Sequence, residues 1–170
     1  RVHHNRPTLL VIHERFREQH AMYRCDAPSL LLLKERFRLI AIAEEMWIDA
    51  ASDEIFEEVH RLGKGPQPLR ALVTLIQSLQ PDMIYYPSLG MLHWTVMLAQ
   101  LRLAPIQIMT HGHPGTSMSP VMDYVYMCEL EGDLDKIHSE RVLVGSKYGA
   151  FAPHSDLPVD LPDLATPSDR

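Results

Sequence analysis

The sequence contains little of what marks several large classes of protein. Its 170 residues include only two cysteines, Cys25 and Cys128, which are too few for a disulfide scaffold. The net charge is −6 and no basic block occurs, so nucleic acid is not an expected partner. The longest apolar runs are far shorter than the roughly 20 residues of a membrane-spanning helix, and the first residues carry no apolar signal-peptide segment. Together these features predict a cytoplasmic protein without a membrane span.

Several catalytic motifs are absent as well. The sequence has no Gly-Lys-Ser/Thr of a phosphate-binding P-loop and no Gly-x-Gly-x-x-Gly after the first predicted strand, which disfavours P-loop enzymes and NAD-dependent dehydrogenases. Ser117 does not lie in a Gly-x-Ser-x-Gly elbow, which disfavours an α/β-hydrolase. Neither His-Glu-x-x-His nor Cys-x-x-Cys occurs, so no zinc site is predicted from a motif.

Short apolar segments alternate with amphipathic segments along the chain, whose length suits one domain. Strands are predicted at residues 9–13, 37–43, 57–62, 83–86, 106–109 and 124–127, with a small edge strand at 142–144. Helices are predicted at 53–58, 68–80 and 92–103, and another near Leu30, where Asp26 and Pro28 give start signals. The alternation predicts an α/β fold with a Rossmann-like parallel sheet and helices on both faces.

The Rossmann-like lobe is predicted to comprise residues 1–151. Residues 152–170 contain four prolines and scattered aspartates. Because proline removes backbone donors and restricts the chain, this segment is predicted to be an extended tail or linker.

The loop after the predicted strand at 106–109 concentrates polar groups. It reads His111-Gly112-His113-Pro114-Gly115-Thr116-Ser117. Ligands of open α/β sheets bind beyond the carboxyl ends of the strands, and the backbone N–H groups and hydroxyls of Gly115, Thr116 and Ser117 could hold a phosphate. The alternative is an ordinary tight turn in which Thr116 and Ser117 cap the next element.

His20 is a second candidate, since it lies in the polar loop between the first strand and the first helix. That position predicts the ligand-facing edge of the sheet. The positive end of a helix dipole favours a neutral imidazole, which can act as a general base or as an orienting group. The alternative is a solvated loop histidine without a catalytic role.

A metal site is a further possibility, because His111 and His113 are two residues apart and would share a face of extended backbone. Zinc would need a third and usually a fourth ligand. His13, His93 or Asp123 could supply them only if the fold brings these residues close. This possibility leads to a metal-dependent hydrolase as an alternative function.

Several spaced motifs occur together. In the second half of the chain they are Pro105-Ile106-Gln107, Gly112-His113-Pro114-Gly115-Thr116-Ser117 and Asp123-Tyr124-Val125. In the first half they are Phe16, His20, Met22-Tyr23-Arg24, Leu33-Lys34-Glu35-Arg36-Phe37 and Tyr86-Pro87-Ser88-Leu89-Gly90-Met91. In this order the motifs resemble the protein O-linked N-acetylglucosamine transferases, and more closely their bacterial relatives, the cytoplasmic N-glycosyltransferases that glucosylate adhesins.

The resemblance implies the first lobe of a two-lobe, GT-B type glycosyltransferase. Such an enzyme is inverting and metal-independent, needs no cofactor, and moves a sugar from a UDP-sugar donor to an Asn, Ser or Thr side chain of an acceptor polypeptide. His20 would be the catalytic residue. By the same resemblance the substrate-binding residues would be His113, Gly115, Thr116, Ser117, Tyr23 and Arg24.

The chain departs from the family at several points. Bacterial members often carry histidines beside the loop phenylalanine, where this chain has Arg15 and Arg17, and a serine where it has Ala21. Nothing after Leu143 resembles the C-terminal lobe, which in the family supplies most uridine and pyrophosphate contacts, including a lysine. The isolated chain is therefore expected to fold but to transfer sugar negligibly. The alternative to an enzyme is a non-catalytic interaction domain with the same fold.

Overall fold

A computed structural model of the chain describes residues 6–110, 115–127 and 136–145. The strands in this part of the chain are β1 (Thr8–Ile12), β2 (Arg38–Glu44), β3 (Glu58–Leu62), β4 (Met83–Tyr86), β5 (Ile106–Thr110), β6 (Tyr124–Met127) and β7 (Arg141–Val144). The helices are α1 (Ala21–Leu33), α2 (Ala50–Asp53), α3 (Leu69–Leu79) and α4 (His93–Ala99), with a short 3-10 helix at Glu45–Trp47. All seven strand assignments overlap those expected from the sequence.

The seven strands form one parallel sheet in the order β3-β2-β1-β4-β5-β6-β7. Successive side chains of a strand point to opposite faces, and each face of this sheet has its own apolar core. On one face Leu10 and Ile42 pack in a cluster with Ile76 of α3 and Leu98 of α4. On the other face Leu9 and Leu39 share a cluster with Ala27 and Leu30 of α1. Helices on both faces of a parallel sheet confirm the predicted Rossmann-like α/β fold.

The predicted start of the first helix, near Leu30, is wrong. α1 begins at Ala21, and His20 is its N-cap residue, while Pro28 lies inside the helix. Proline is unfavourable there because it lacks the backbone N–H. Tertiary packing decides the outcome, since Ala27 and Leu30 on the inner face of α1 are buried.

Two other helix predictions have wrong bounds. The helix expected at 53–58 is the short α2, which the side chain of Asp49 caps by accepting a hydrogen bond from Ser52 N. α4 ends at Ala99 instead of Leu103. The carbonyls of Met97 and Leu98 accept bonds from N–H groups only three residues further on, so the last turn tightens and the helix stops. The predicted helix at 68–80 is confirmed as α3.

The topology fixes where a ligand crevice can form. β1 lies between β2 and β4, and the chain leaves the two central strands β1 and β4 in opposite directions across the sheet. Loops 13–20 and 87–92 therefore meet at the carboxyl edge, at the switch point where open α/β sheets bind ligands. None of the described helices is long and apolar enough to cross a bilayer. The tail predicted at 152–170 lies outside the described residues.

Candidate functional site

His20 stands at the carboxyl edge of the sheet, where α1 begins. Its Nδ1 accepts a hydrogen bond from the backbone N–H of Met22 at 3.2 Å, so in the neutral imidazole the proton is on Nε2. The pKa of His20 is lowered by partial burial and by the positive charges of Arg15 and Arg24. The imidazole is therefore neutral at pH 7 and offers Nε2–H as a hydrogen-bond donor.

Two arginines frame His20 on this edge. The guanidinium of Arg15 lies 4.2 Å above the ring centre of Trp47, which holds its charge in place by a cation–π contact. Arg24 Nη1 donates to the carbonyl of Gln19 at 3.2 Å. Arg15 and Arg24 thus place positive charge close enough to His20 to affect its imidazole.

Glu14 joins the two loops of the switch point. Its carboxylate is fully buried and accepts hydrogen bonds from the backbone N–H groups of Gly90, Met91 and Leu92 at 3.0–3.1 Å. It also accepts the hydroxyl proton of Thr95. A carboxylate at a helix N-terminus is favoured by the helix dipole, and this one fixes the start of α4 to the loop that leads to His20. No motif in the sequence marks Glu14 for this role.

His13 is part of the core and not of the site. Its ring stacks on Phe16 with centroids 3.8 Å apart, and complete burial lowers its pKa to about 3. Asp123, another suggested metal ligand, pairs with Arg102 at 2.6 Å just before β6, whereas His13 follows β1. These two residues lie at opposite edges of the parallel sheet, and no metal-binding group of three is found within ranges 6–110, 115–127 and 136–145. His111 and His113 lie outside those ranges.

Thr116 and Ser117 do not face an open crevice. Both form hydrogen bonds with the carboxylate of Glu140. Thr116 Oγ1 donates to Glu140 Oε2 at 2.8 Å, and Ser117 N donates to Oε1 at 2.7 Å. Burial raises the pKa of the Glu140 carboxyl and the hydrogen bonds from Ser117 and Thr116 lower it, with a net decrease. Glu140 directly precedes β7, and the neighbouring Ser119 donates to the carbonyl of Ala99 at the end of α4.

These partners place Thr116 and Ser117 toward the amino edge of the sheet, while His20 is at the carboxyl edge. The structure therefore does not bring the two groups together. A Cβ at Gly115 would meet nothing within 4 Å, so the glycine is not needed there for close packing. His113 lies outside the described residues.

Tyr23 and Arg24 follow His20 on the first turn of α1 and take different roles. The ring of Tyr23 packs on Phe16 with centroids 5.0 Å apart. Burial raises the pKa of its phenol, and the negative charges of Glu18 and Asp49 raise it further. Tyr23 therefore supports the loop, and Arg24 stays beside His20.

Asp26 is the charged residue on the buried side of α1. The residue is 8% exposed, and its Oδ2 has no hydrogen-bond partner among the described residues. Burial raises the pKa of the Asp26 carboxyl to about 7. In the unfolded chain an aspartate has a pKa of about 3.9, so the folded state holds this proton more tightly.

We expect Asp26→Asn to stabilise the fold at neutral and alkaline pH. Stability of the parent should decline as the pH rises from about 4 to about 7, because folding then requires a proton to be taken up or a charge to be buried. The substitution should add on the order of 2 kcal/mol at pH 8 and much less at pH 4. Urea unfolding at both pH values measures this. Glu35→Gln, a change at an exposed residue just after α1, should leave the difference in stability between pH 4 and pH 8 as it is in the parent. The same difference in Asp26→Asn as in the parent would contradict the raised pKa of Asp26.

Comparison with known proteins gives two kinds of match. The chain is 33% identical over 141 residues to the UDP-glucose:protein N-beta-glucosyltransferase of Actinobacillus pleuropneumoniae serotype 5b (strain L20), covering 82% of this chain and 23% of that protein. The enzyme of the same name from serotype 7 (strain AP76) is 33% identical over 123 residues, covering 71% of this chain and 20% of the relative. No family model matches.

A solved structure shows similarity in fold. A mutant of the Thermobaculum terrenum O-GlcNAc transferase superposes with a TM-score of 0.73 at 19% sequence identity, over 92% of this chain and 31% of the other. The chain belongs to the O-GlcNAc transferase-like family. This family member spans between a fifth and a quarter of the length of the curated relatives that it matches.

Proposed function

We propose that the full-length protein containing this chain transfers glucose from UDP-glucose to a side-chain nitrogen of an acceptor polypeptide. The similarity to two UDP-glucose:protein N-beta-glucosyltransferases carries this proposal. N-acetylglucosamine as the sugar, and Ser or Thr as the acceptor, are the neighbouring possibilities. The reaction is proposed to invert the anomeric centre and to need no metal ion, with a second lobe closing the cleft in a GT-B arrangement.

His20 supports the proposal through its position. A side chain that attacks the anomeric carbon must be held in line with the leaving UDP. The Nε2–H of His20 can donate to the acceptor or to a sugar hydroxyl at the carboxyl edge. Its Nδ1 is engaged by Met22 N, so His20 can take up a proton only by breaking that bond. The geometry therefore favours an orienting donor over a general base.

The negative charge that develops on UDP has to be met elsewhere. Departure of a diphosphate requires positive groups or helix N-termini aimed at it. The N-terminus of α4, at the switch point, is occupied by the Glu14 carboxylate, and the chain carries a net charge of −6. We therefore assign the diphosphate contacts to residues outside this chain.

Incubation of the full-length protein with UDP-glucose and an asparagine-containing peptide tests the proposal. Mass spectrometry should show the addition of one hexose to the peptide, and a metal chelator should leave the rate unchanged. The 170-residue chain alone should transfer negligibly under the same conditions. Transfer by the isolated chain would contradict the division of roles between the two lobes, and a rate that falls with chelator would contradict metal independence.

A further inference from the structure

The two faces of the sheet differ at strands β5, β6 and β7. Successive side chains of a strand point to opposite faces. On the face where α3 and α4 pack, Met109 and Val125 are at most 2% exposed. On the face where α1 packs, Ile106, Tyr126 and Leu143 are 37–44% exposed. The same three strands are therefore covered on one face and open on the other.

The apolar core beneath α1 stops at β4. Its members in the described chain come from α1, from β1 to β4 and from the segments that join them. Ile108 pairs in register with Tyr85 of that core, so the uncovered surface continues the core directly. Parallel sheets are ordinarily covered on both faces, which indicates that this surface has an occupant. The surface, named the open face, consists of Ile106, Ile108, Tyr124, Tyr126 and Leu143.

The chain leaves β7 at the border of the open face. Gly145 follows the strand and donates a hydrogen bond to the carbonyl of Met127 at 2.7 Å. A Cβ on Gly145 would collide with the hydroxyl and ring of Tyr126, so the Tyr126 side chain lies over this residue. The sequence that follows Gly145 is therefore tethered beside the open face. A short tether gives an effective concentration in the mM range, which favours this segment over free partners.

The sequence after Gly145 contains an apolar pattern that suits an extended cover. Residues 157–162 read Leu-Pro-Val-Asp-Leu-Pro. Leu157 and Leu161 each precede a proline, which disfavours helical backbone and favours an extended chain. On extended backbone Leu157, Val159 and Leu161 share one side and form an apolar stripe.

The intervening chain is long enough to bring this stripe onto the open face. The distance from β7 to β5 is two strand spacings, or roughly 10 Å. Residues 146–156 can span more than that, since an extended chain covers about 3.3 Å per residue.

We propose that segment 157–161 lies extended across the open face, with its apolar stripe packed on Tyr126 and Leu143. The chain thereby covers its own sheet from β7 toward β4 and completes the core that begins under α1. A second copy of the chain and a part of the full-length protein outside residues 1–170 are the other occupants that the experiment distinguishes.

Limited proteolysis of the 170-residue chain tests the proposal. Chymotrypsin can cut after Phe151 and after Leu164, on either side of the segment, whereas the prolines that follow Leu157 and Leu161 block cleavage there. A synthetic peptide of residues 146–170 is the undocked reference. The same two bonds should be cut at least about tenfold more slowly in the chain than in the peptide, because cleavage follows the fraction of molecules in which the segment is released.

Variants of both partners locate the contact. Leu143→Lys, a change that edge strands tolerate, should raise the cleavage rate to that of the peptide, and the double variant Leu157→Ser/Leu161→Ser should do the same. Val144→Lys is the matched control, since Val144 is exposed on the same strand and points to the opposite face. It should keep the slow cleavage. If circular dichroism shows that Leu143→Lys does not fold, the double variant decides, because it changes no residue of the described fold.

Three outcomes would overturn the proposal. Cleavage of the parent chain as fast as the peptide would leave the open face to a part of the full-length protein outside residues 1–170. Slow cleavage that persists in the double variant would place the segment elsewhere. Slow cleavage found only at concentrations where sedimentation shows a dimer would assign the open face to a second copy.

Discussion

His20→Ala is expected to lower kcat for sugar transfer by the full-length protein about 100- to 1,000-fold, the usual loss for a donor that acts in the transition state. The reason is geometric. Nε2–H is the free donor of the imidazole, because Nδ1 is committed to Met22 N. The KM for UDP-glucose should change little, since the diphosphate contacts are assigned outside this chain.

The same substitution also removes a helix cap, so a matched variant is needed. His20→Ala should cost about 1 kcal/mol of stability. His20→Asn keeps a short side chain that can accept from the first turn of α1, and should preserve stability while losing activity to the same degree. If His20→Asn retained full activity, the imidazole would have no part in transfer.

The pH profile gives an independent check. The pKa of His20 is lowered by burial, Arg15 and Arg24, so the neutral donor form should persist below the ordinary imidazole pKa of about 6.5. The acidic fall in kcat should therefore lie at lower pH than for a free imidazole. Arg24→Gln should move that fall toward higher pH, because a positive charge beside the ring is removed.

Glu14→Ala is expected to produce the largest loss of stability, about 3–5 kcal/mol. The substitution leaves three backbone N–H groups at the start of α4 without their buried acceptor, and the hydroxyl of Thr95 keeps only the carbonyl of Leu92. Urea unfolding of the 170-residue chain measures the change in the free energy of unfolding.

Two controls bracket that result. Glu14→Gln keeps one oxygen, and Oε1 alone accepts most of these bonds, so about 1–2 kcal/mol is expected. Glu18→Ala removes an exposed carboxylate from the same loop and should have an effect within about 0.5 kcal/mol. A loss in Glu14→Ala no larger than in Glu18→Ala would contradict the capping role.

The positions of the strands along the chain could be predicted because most of them are short apolar runs between polar breaks, whereas their order in the sheet was not predicted. Helix ends were harder. The start of α1 depends on a histidine cap and on burial of Ala27 and Leu30, neither of which is a local signal. Asp26 and Pro28 form a start signal of the usual kind, and tertiary packing overrides it.

The site was only partly predictable. His20 could be placed at the carboxyl edge from the strand–helix pattern alone. Glu14 and Glu140 could not be recognised, because their partners are distant in sequence, with Gly90 and Leu92 for Glu14 and Thr116 and Ser117 for Glu140. The sequence does not distinguish a hydroxyl that binds a carboxylate within the protein from a hydroxyl that binds a substrate.

The position of β1 affects how the chain folds during synthesis. A ribosome makes β1 before the other described strands, yet this fully buried strand is completed on one side by β2 and on the other only by β4. Pairing between strands so far apart in sequence is slow. Until Met83–Tyr86 emerge, one edge of the nascent strand exposes unpaired backbone N–H and C=O groups to other chains. A translation pause or a chaperone that acts before β4 is made should therefore change the yield of folded protein more than one that acts after β4 is made.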